Sequence, residues 1–216
     1  MKELRFFGHF ARLQAAFPLG FAVLVALGLA ATRDTNSLFG TYARMFPVFA
    51  VLFPAVSMMS GRSVRDTALC FGAKRMACFW AREVFGAGQL ALLTAASQLL
   101  ARLYGMMPGA DSAGLSAGAA LLLLAGGAAA GQIGLLLGDV NDRKMRGWLW
   151  AVLMVVLIGG FTGMIFALSV EGDPKKMLVM APENPYWTAG VVGFAVLTAV
   201  LGTVGARLDG KAAVTA

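Results

Sequence analysis

Six stretches of roughly twenty predominantly apolar residues follow one another along the chain, and they constrain the fold more than any other feature. They run over Ala15–Thr32, Thr41–Ser60, Glu83–Leu103, Leu115–Gly138, Trp148–Val170 and Trp187–Ala206. Each is near the ~20 residues a helix needs to cross a bilayer. Their length and lack of strict alternation predict helices and not barrel strands. Hydrophobic residues make up 59% of the 216 and charged residues only 13%, against about 25% charged in soluble domains. The expectation is an all-α membrane protein forming a single transmembrane domain, because no polar stretch is long enough for a second one.

Orientation follows from the basic residues. Of the 18, thirteen fall in one set of connecting segments, among them Lys2, Arg5, Arg12, Arg62, Arg65, Lys74, Arg75, Arg82 and Arg143. The opposite set holds only Arg33, Arg44, Arg102, Lys175 and Lys176. The positive-inside rule then predicts cytoplasmic termini, consistent with six crossings of a bacterial inner membrane. Residues 1–14 place Lys2, Arg5, His9 and Arg12 on one side of a helical wheel and Leu4, Phe6, Phe7, Phe10 and Leu13 on the other. That pattern predicts an interfacial helix ahead of an uncleaved first span. The net charge of +7 thus reads as membrane topology and not as nucleic-acid binding.

Enzymatic and metal chemistry find little support. Seven residues separate Cys70 from Cys78, and the single histidine, His9, is remote, which is no zinc spacing. Gly114-Leu-Ser-Ala-Gly118 fits the G-x-S-x-G nucleophile elbow. A base must lie within hydrogen-bond reach of Ser116, yet His9 is expected across a ~30 Å hydrocarbon core. No G-x-x-x-x-G-K-[ST] phosphate loop occurs, so the chain carries no ATPase of its own. No span has a charged residue near its middle, which disfavours proton-coupled carriers and acidic cation filters.

Between the second and third stretches lies a charged island, Gly61 to Arg75. Ser63-Val-Arg-Asp66 has the spacing of a helix start, with Ser63 as N-cap, and Gly72 is placed to end a helix of two to three turns. The string Ala68-Leu-Cys-Phe-Gly-Ala-Lys-Arg-Met-Ala-Cys-Phe79 resembles the first cytoplasmic loop of type-2 ATP-binding-cassette exporter permeases, with Cys70 and Lys74 departing from that family's usual residues. The short basic segment Asn141–Gly147 and the Pro182-Glu-Asn-Pro185 segment agree with its layout. The resemblance implies a coupling helix that docks on a separate ATPase through Ser63, Arg65, Asp66, Leu69 and Phe71. It also implies pairing with a second permease, as homodimer or heterodimer, and ATP with Mg bound by the partner and no cofactor in this chain.

The third stretch carries a polar stripe, and of it Thr94, Ser97 and Gln98 either bond between helices or line a substrate path. Gly127, Gly131, Gly134 and Gly138 recur at helical spacing in the fourth, and Gly159 and Gly163 in the fifth, a pattern for close helix packing or a subunit interface. The expected function is export of a hydrophobic or amphipathic substrate. The alternative is a membrane sensor, scaffold or assembly factor that docks a cytoplasmic partner through residues 61–75.

Overall fold

The first groups a helix leaves unbonded are its terminal N–H donors, and two serines take them up here. Ser37 Oγ accepts from Gly40 N–H at 3.1 Å and Ser116 Oγ from Ala119 N–H at 3.1 Å, so each serine caps the helix that follows it. The computed structural model describes residues 2–59, 61–110, 116–142 and 185–211. Within them run α1 (Lys2–Thr32), α2 (Leu38–Met59), α3 (Gly61–Cys70), α4 (Arg75–Gly105), α5 (Ala117–Asp142) and α6 (Pro185–Lys211). No strand occurs among the described residues.

Five helical stretches are long and apolar enough to cross a membrane: Arg5–Thr32, Leu38–Cys70, Arg75–Gly105, Ala117–Gly138 and Trp187–Leu208. The chain is therefore an all-helical, multi-pass membrane protein. The expected span Trp148–Val170 lies outside the described residues, as do Gly159, Gly163 and most of the loop and external segments on either side of it.

Two boundaries differ from expectation. Residues 1–14 do not form a helix of their own, because α1 runs unbroken through 31 residues with Pro18 inside it. Phe7, assigned to a lipid-facing side, is buried against the protein. The helix that holds the third expected span, Glu83–Leu103, begins two turns earlier, at Arg75. At 31 residues each, α1 and α4 are about 46 Å long at 1.5 Å per residue. A hydrocarbon core is ~30 Å thick, so both helices extend beyond it. The end carrying Arg5, Arg12, Lys74, Arg75 and Arg82 is called the basic end below.

At the opposite end the α1–α2 corner is tied by short polar links. Arg33 adopts φ 51° and donates its N–H to Leu29 O at 2.9 Å, the single-bond left-handed helix ending. Asp34 Oδ1 accepts from Asn36 N–H at 2.9 Å, and Ser37 Oγ donates to Asp34 O at 2.6 Å. Arg44 lies over the Tyr104 ring of α4, 5.4 Å from its centroid. Between α1, α2 and α4 the core is Val25, Leu29, Phe46, Leu93 and Leu100. A second cluster joins Leu122 and Leu123 of α5 to Val51 and Trp187, and Trp187 Nε1 donates to Gly118 O at 3.0 Å.

In lipid, apolar surface gives helices no drive to associate, so small residues that let backbones approach supply it. The α5 glycines serve that purpose inside this chain. Gly134 packs on the Ala55 carbonyl of α2, Gly127 lies under Leu90 of α4, and Gly131 faces Pro54. α2 and α5 are accordingly the most extensively packed pair. At the basic end of α2 the Met58 side chain fills the space beside both Gly86 and Gly131.

A Cβ at position 134 would collide with main chain, which cannot yield as a flexible side chain can. Gly134→Ala should therefore destabilise by about 1–3 kcal/mol through overpacking. Gly20→Ala, in open space, should be neutral or slightly stabilising. Thermal-unfolding midpoints of the detergent-solubilised variants check both.

Candidate functional site

The basic end is organised around α3. Its termination is the clearest local feature: Gly72 has φ 83°, Gly72 N–H donates to Leu69 O at 2.9 Å, and Ala73 N–H donates to Ala68 O at 3.1 Å. These two bonds around a left-handed glycine form a Schellman ending. The apolar contact that usually accompanies it is present, since Ala68 and Ala73 belong to one cluster. Gly72 thus ends the helix as its position predicts. The start differs: α3 begins at Gly61, so Ser63 lies inside the helix and is not its cap. Instead its carbonyl accepts from Thr67 Oγ1 at 2.8 Å.

The inner face of α3 is clamped. Ala68, with Val64 and Leu69 beside it, packs on Phe6 and Phe7 of α1 and on Cys78, Ala81 and Phe85 of α4. Gly8 lets α1 come close: a Cβ there would meet the Phe85 ring at 3.1 Å. The N-terminal helix is therefore locked to α3 and α4 by apolar contacts at the basic end.

Behind the clamp is a small, mainly apolar cavity of about 40 Å³ between α1, α2, α3 and α4, with Gln14, Ser57, Arg82 and Gln89 as its polar lining. Ser57 Oγ lies 3.2 Å from Gln89 Oε1, Gln89 Nε2 donates to Ala11 O at 3.4 Å, and Gln14 Nε2 reaches Ser57 O at 3.5 Å. The cavity is large enough for about one or two waters, not for a substrate.

The residues assigned to docking separate into two groups. Phe71 is 82% exposed, Ser63 is exposed and Asp66 half-buried. Leu69 belongs to the clamp, and Arg65 is only 2% exposed, with Nε donating to Asp66 Oδ1 at 3.0 Å. Arg65 is therefore part of how α3 is seated and not of its open face. The outward stripe is Ser63, Thr67 and Cys70, leading to Phe71. Thr67 and Cys70 were not assigned, although the i, i+4, i+7 spacing from Ser63 marks them.

The other assigned residues lie elsewhere. Thr94 and Ser97 are buried, Ser97 completely, and their hydroxyls donate to Leu90 O and Leu93 O of their own helix, each at 2.8 Å. Neither faces an open path in this chain; Gln98 is half-buried. Ser116, the serine of the G-x-S-x-G string, spends its hydroxyl on capping α5. No group of three His, Cys, Asp or Glu side chains converges among the described residues. Compared with models of protein families, with curated proteins and with solved structures, the chain matches none.

Two outcomes follow. Gly72→Ala places a Cβ in the left-handed region, which costs about 1–2 kcal/mol, so it should loosen α3 and raise amide exchange over residues 61–73. Ser116→Ala should lower stability by about 1 kcal/mol through the lost cap, while a serine-directed fluorophosphonate probe labels wild type and variant equally little.

Proposed function

We propose that this chain is the membrane subunit of an ATP-driven exporter, with α3 as the helix on which a separate cytoplasmic ATPase bears. One observation carries the reading: a short, capped helix is clamped to α1 and α4 by apolar contacts while the large side chain at its end, Phe71, stands 82% exposed. A helix held in this way passes displacement to α1 and α4, where a flexible loop would absorb it. The exposed aromatic beside a polar stripe is the composition of an interface anchor with its rim. The resemblance of Ala68–Phe79 to the first cytoplasmic loop of type-2 exporter permeases supports the same reading.

In this proposal Ser63, Asp66, Thr67 and Phe71 face the ATPase, while Arg65 and Leu69 hold α3 in place. Nucleotide and Mg belong to the partner, and a second permease copy or a sibling completes the pathway. The substrate class is hydrophobic or amphipathic. Because Thr94 and Ser97 are occupied within the bundle, a path between permeases would run along other faces. Both termini and the basic end lie in the cytoplasm by the distribution of Lys and Arg.

The test is reconstitution with a candidate ATP-binding-cassette ATPase. Phe71→Ala should weaken their association about 10- to 30-fold, the loss of an anchor worth about 1.4–2 kcal/mol. It should leave the thermal midpoint of the permease unchanged. If the chain in liposomes neither binds such an ATPase nor alters its hydrolysis, the exporter reading fails, and a scaffold or sensor using the same face replaces it.

A further inference from the structure

We propose that Glu83 and Gln132 form a binding site for a monovalent metal cation, Na⁺ or K⁺, between α4 and α5. Gln132 Nε2 donates to Glu83 Oε2 at 2.7 Å, linking residues 49 apart in sequence. Gln132 is only 7% exposed. The two remaining oxygens, Glu83 Oε1 and Gln132 Oε1, are buried and accept no hydrogen bond. Three acceptor oxygens thus share one donor, and Glu83 forms no ion pair among the described residues. On α6, Gly202 brings no side chain to the site; a Cβ there would stop 3.9 Å from Gln132 Oε1.

Such an arrangement is costly unless something positive joins it. An unpaired buried acceptor loses its hydration without return, and a carboxylate within a bundle needs a countercharge. A water bridging the two free oxygens would satisfy them but leave the charge. An alkali ion does both, since it takes hard oxygen ligands of the carboxylate and carbonyl types. The ligand set argues for a single charge: one carboxylate and one neutral amide, with no cluster of three acidic, histidine or cysteine side chains among the described residues. Water molecules complete the coordination. Glu83 lies two turns inside α4, and its amide partner sits six residues before the Gly138 end of the α5 span. The ion would therefore tie α4 to α5 just inside the basic end. The proposal is independent of what docks on α3.

Purified protein in detergent is melted, with tryptophan fluorescence as readout, in NaCl, KCl or N-methylglucamine chloride at equal ionic strength and fixed pH. The expected result is a midpoint that rises by about 2–4 °C with one or both alkali ions as their concentration passes the dissociation constant. It should not rise with N-methylglucamine. The rise should vanish in Glu83→Gln, which keeps the shape of the side chain, and in Gln132→Met. Should either variant fold poorly, retention of radiolabelled sodium by wild type, displaced by unlabelled NaCl or KCl, provides the reading. Equal midpoints in all three salts without displaceable radiosodium would overturn the proposal. So would an alkali effect that survives Glu83→Gln, or a midpoint that follows pH alone and points to a proton as the occupant.

Discussion

Close backbone contact between α2 and α5, at Gly134 on the Ala55 carbonyl, is the interaction on which the rest of this bundle depends. Lipid tails are as apolar as leucine, so side-chain burial alone does not bring membrane helices together. What does is the absence of side chains: Gly134, Gly131 and Gly127 let α5 lie directly on α2 and α4. With α5 in place, α6 is held through Trp187 and Gly118. With α2 in place, the aromatic series Phe21, Phe46 and Phe49 can close the α1 side. Dispersion between well-fitted surfaces and a few buried hydrogen bonds then do the work that hydrophobic burial does in water.

The two ends of the bundle solve different problems. At the end with few basic residues, short polar turns at Asp34 and Ser37 and the Arg44–Tyr104 contact fix where helices reverse. At the basic end the helices do not simply stop. α1 and α4 continue past bilayer thickness, and the added length is used to grip α3 between Phe7, Cys78 and Ala81. A second layer of polar side chains, Gln14, Ser57, Arg82 and Gln89, lies behind that apolar grip. A partner pressing on α3 would thus act on a seated element and not on a loop.

Much of this was legible in the sequence, for identifiable reasons. Span lengths are visible because roughly twenty apolar residues have no other common use, and Gly72 is readable as a helix stop because few residues tolerate a left-handed conformation. The glycine row of α5 announced close packing. Four features were not legible. Nothing local distinguishes a helix that ends at residue 14 from one that continues, and packing of Phe7 on α3 decides it. Ser63 has the chemistry of a cap but lies inside α3, whose described residues begin at Gly61. Arg65 looks like an exposed docking charge on any helical wheel, and only the tertiary arrangement turns it inward. The Glu83–Gln132 bond joins residues 49 apart, a separation no spacing rule reaches.

The Met58 side chain, lodged against Gly86 and Gly131, has a mechanical consequence. Methionine is unbranched, with three rotatable bonds and a polarisable sulfur, and adapts its shape at small cost. Where α2 meets α4 at the basic end, the filler beside Gly86 is therefore compliant, while α2 and α5 stay locked by Gly134 on the Ala55 carbonyl. At the other end Gly40 rests on the Thr35 carbonyl and Gly28 on the Phe39 ring, contacts with no such give. At the basic end the α2–α4 contact can yield while the α2–α5 contact cannot. Movement between α2 and α4 would therefore be taken up at Met58, with α5 carried along with α2.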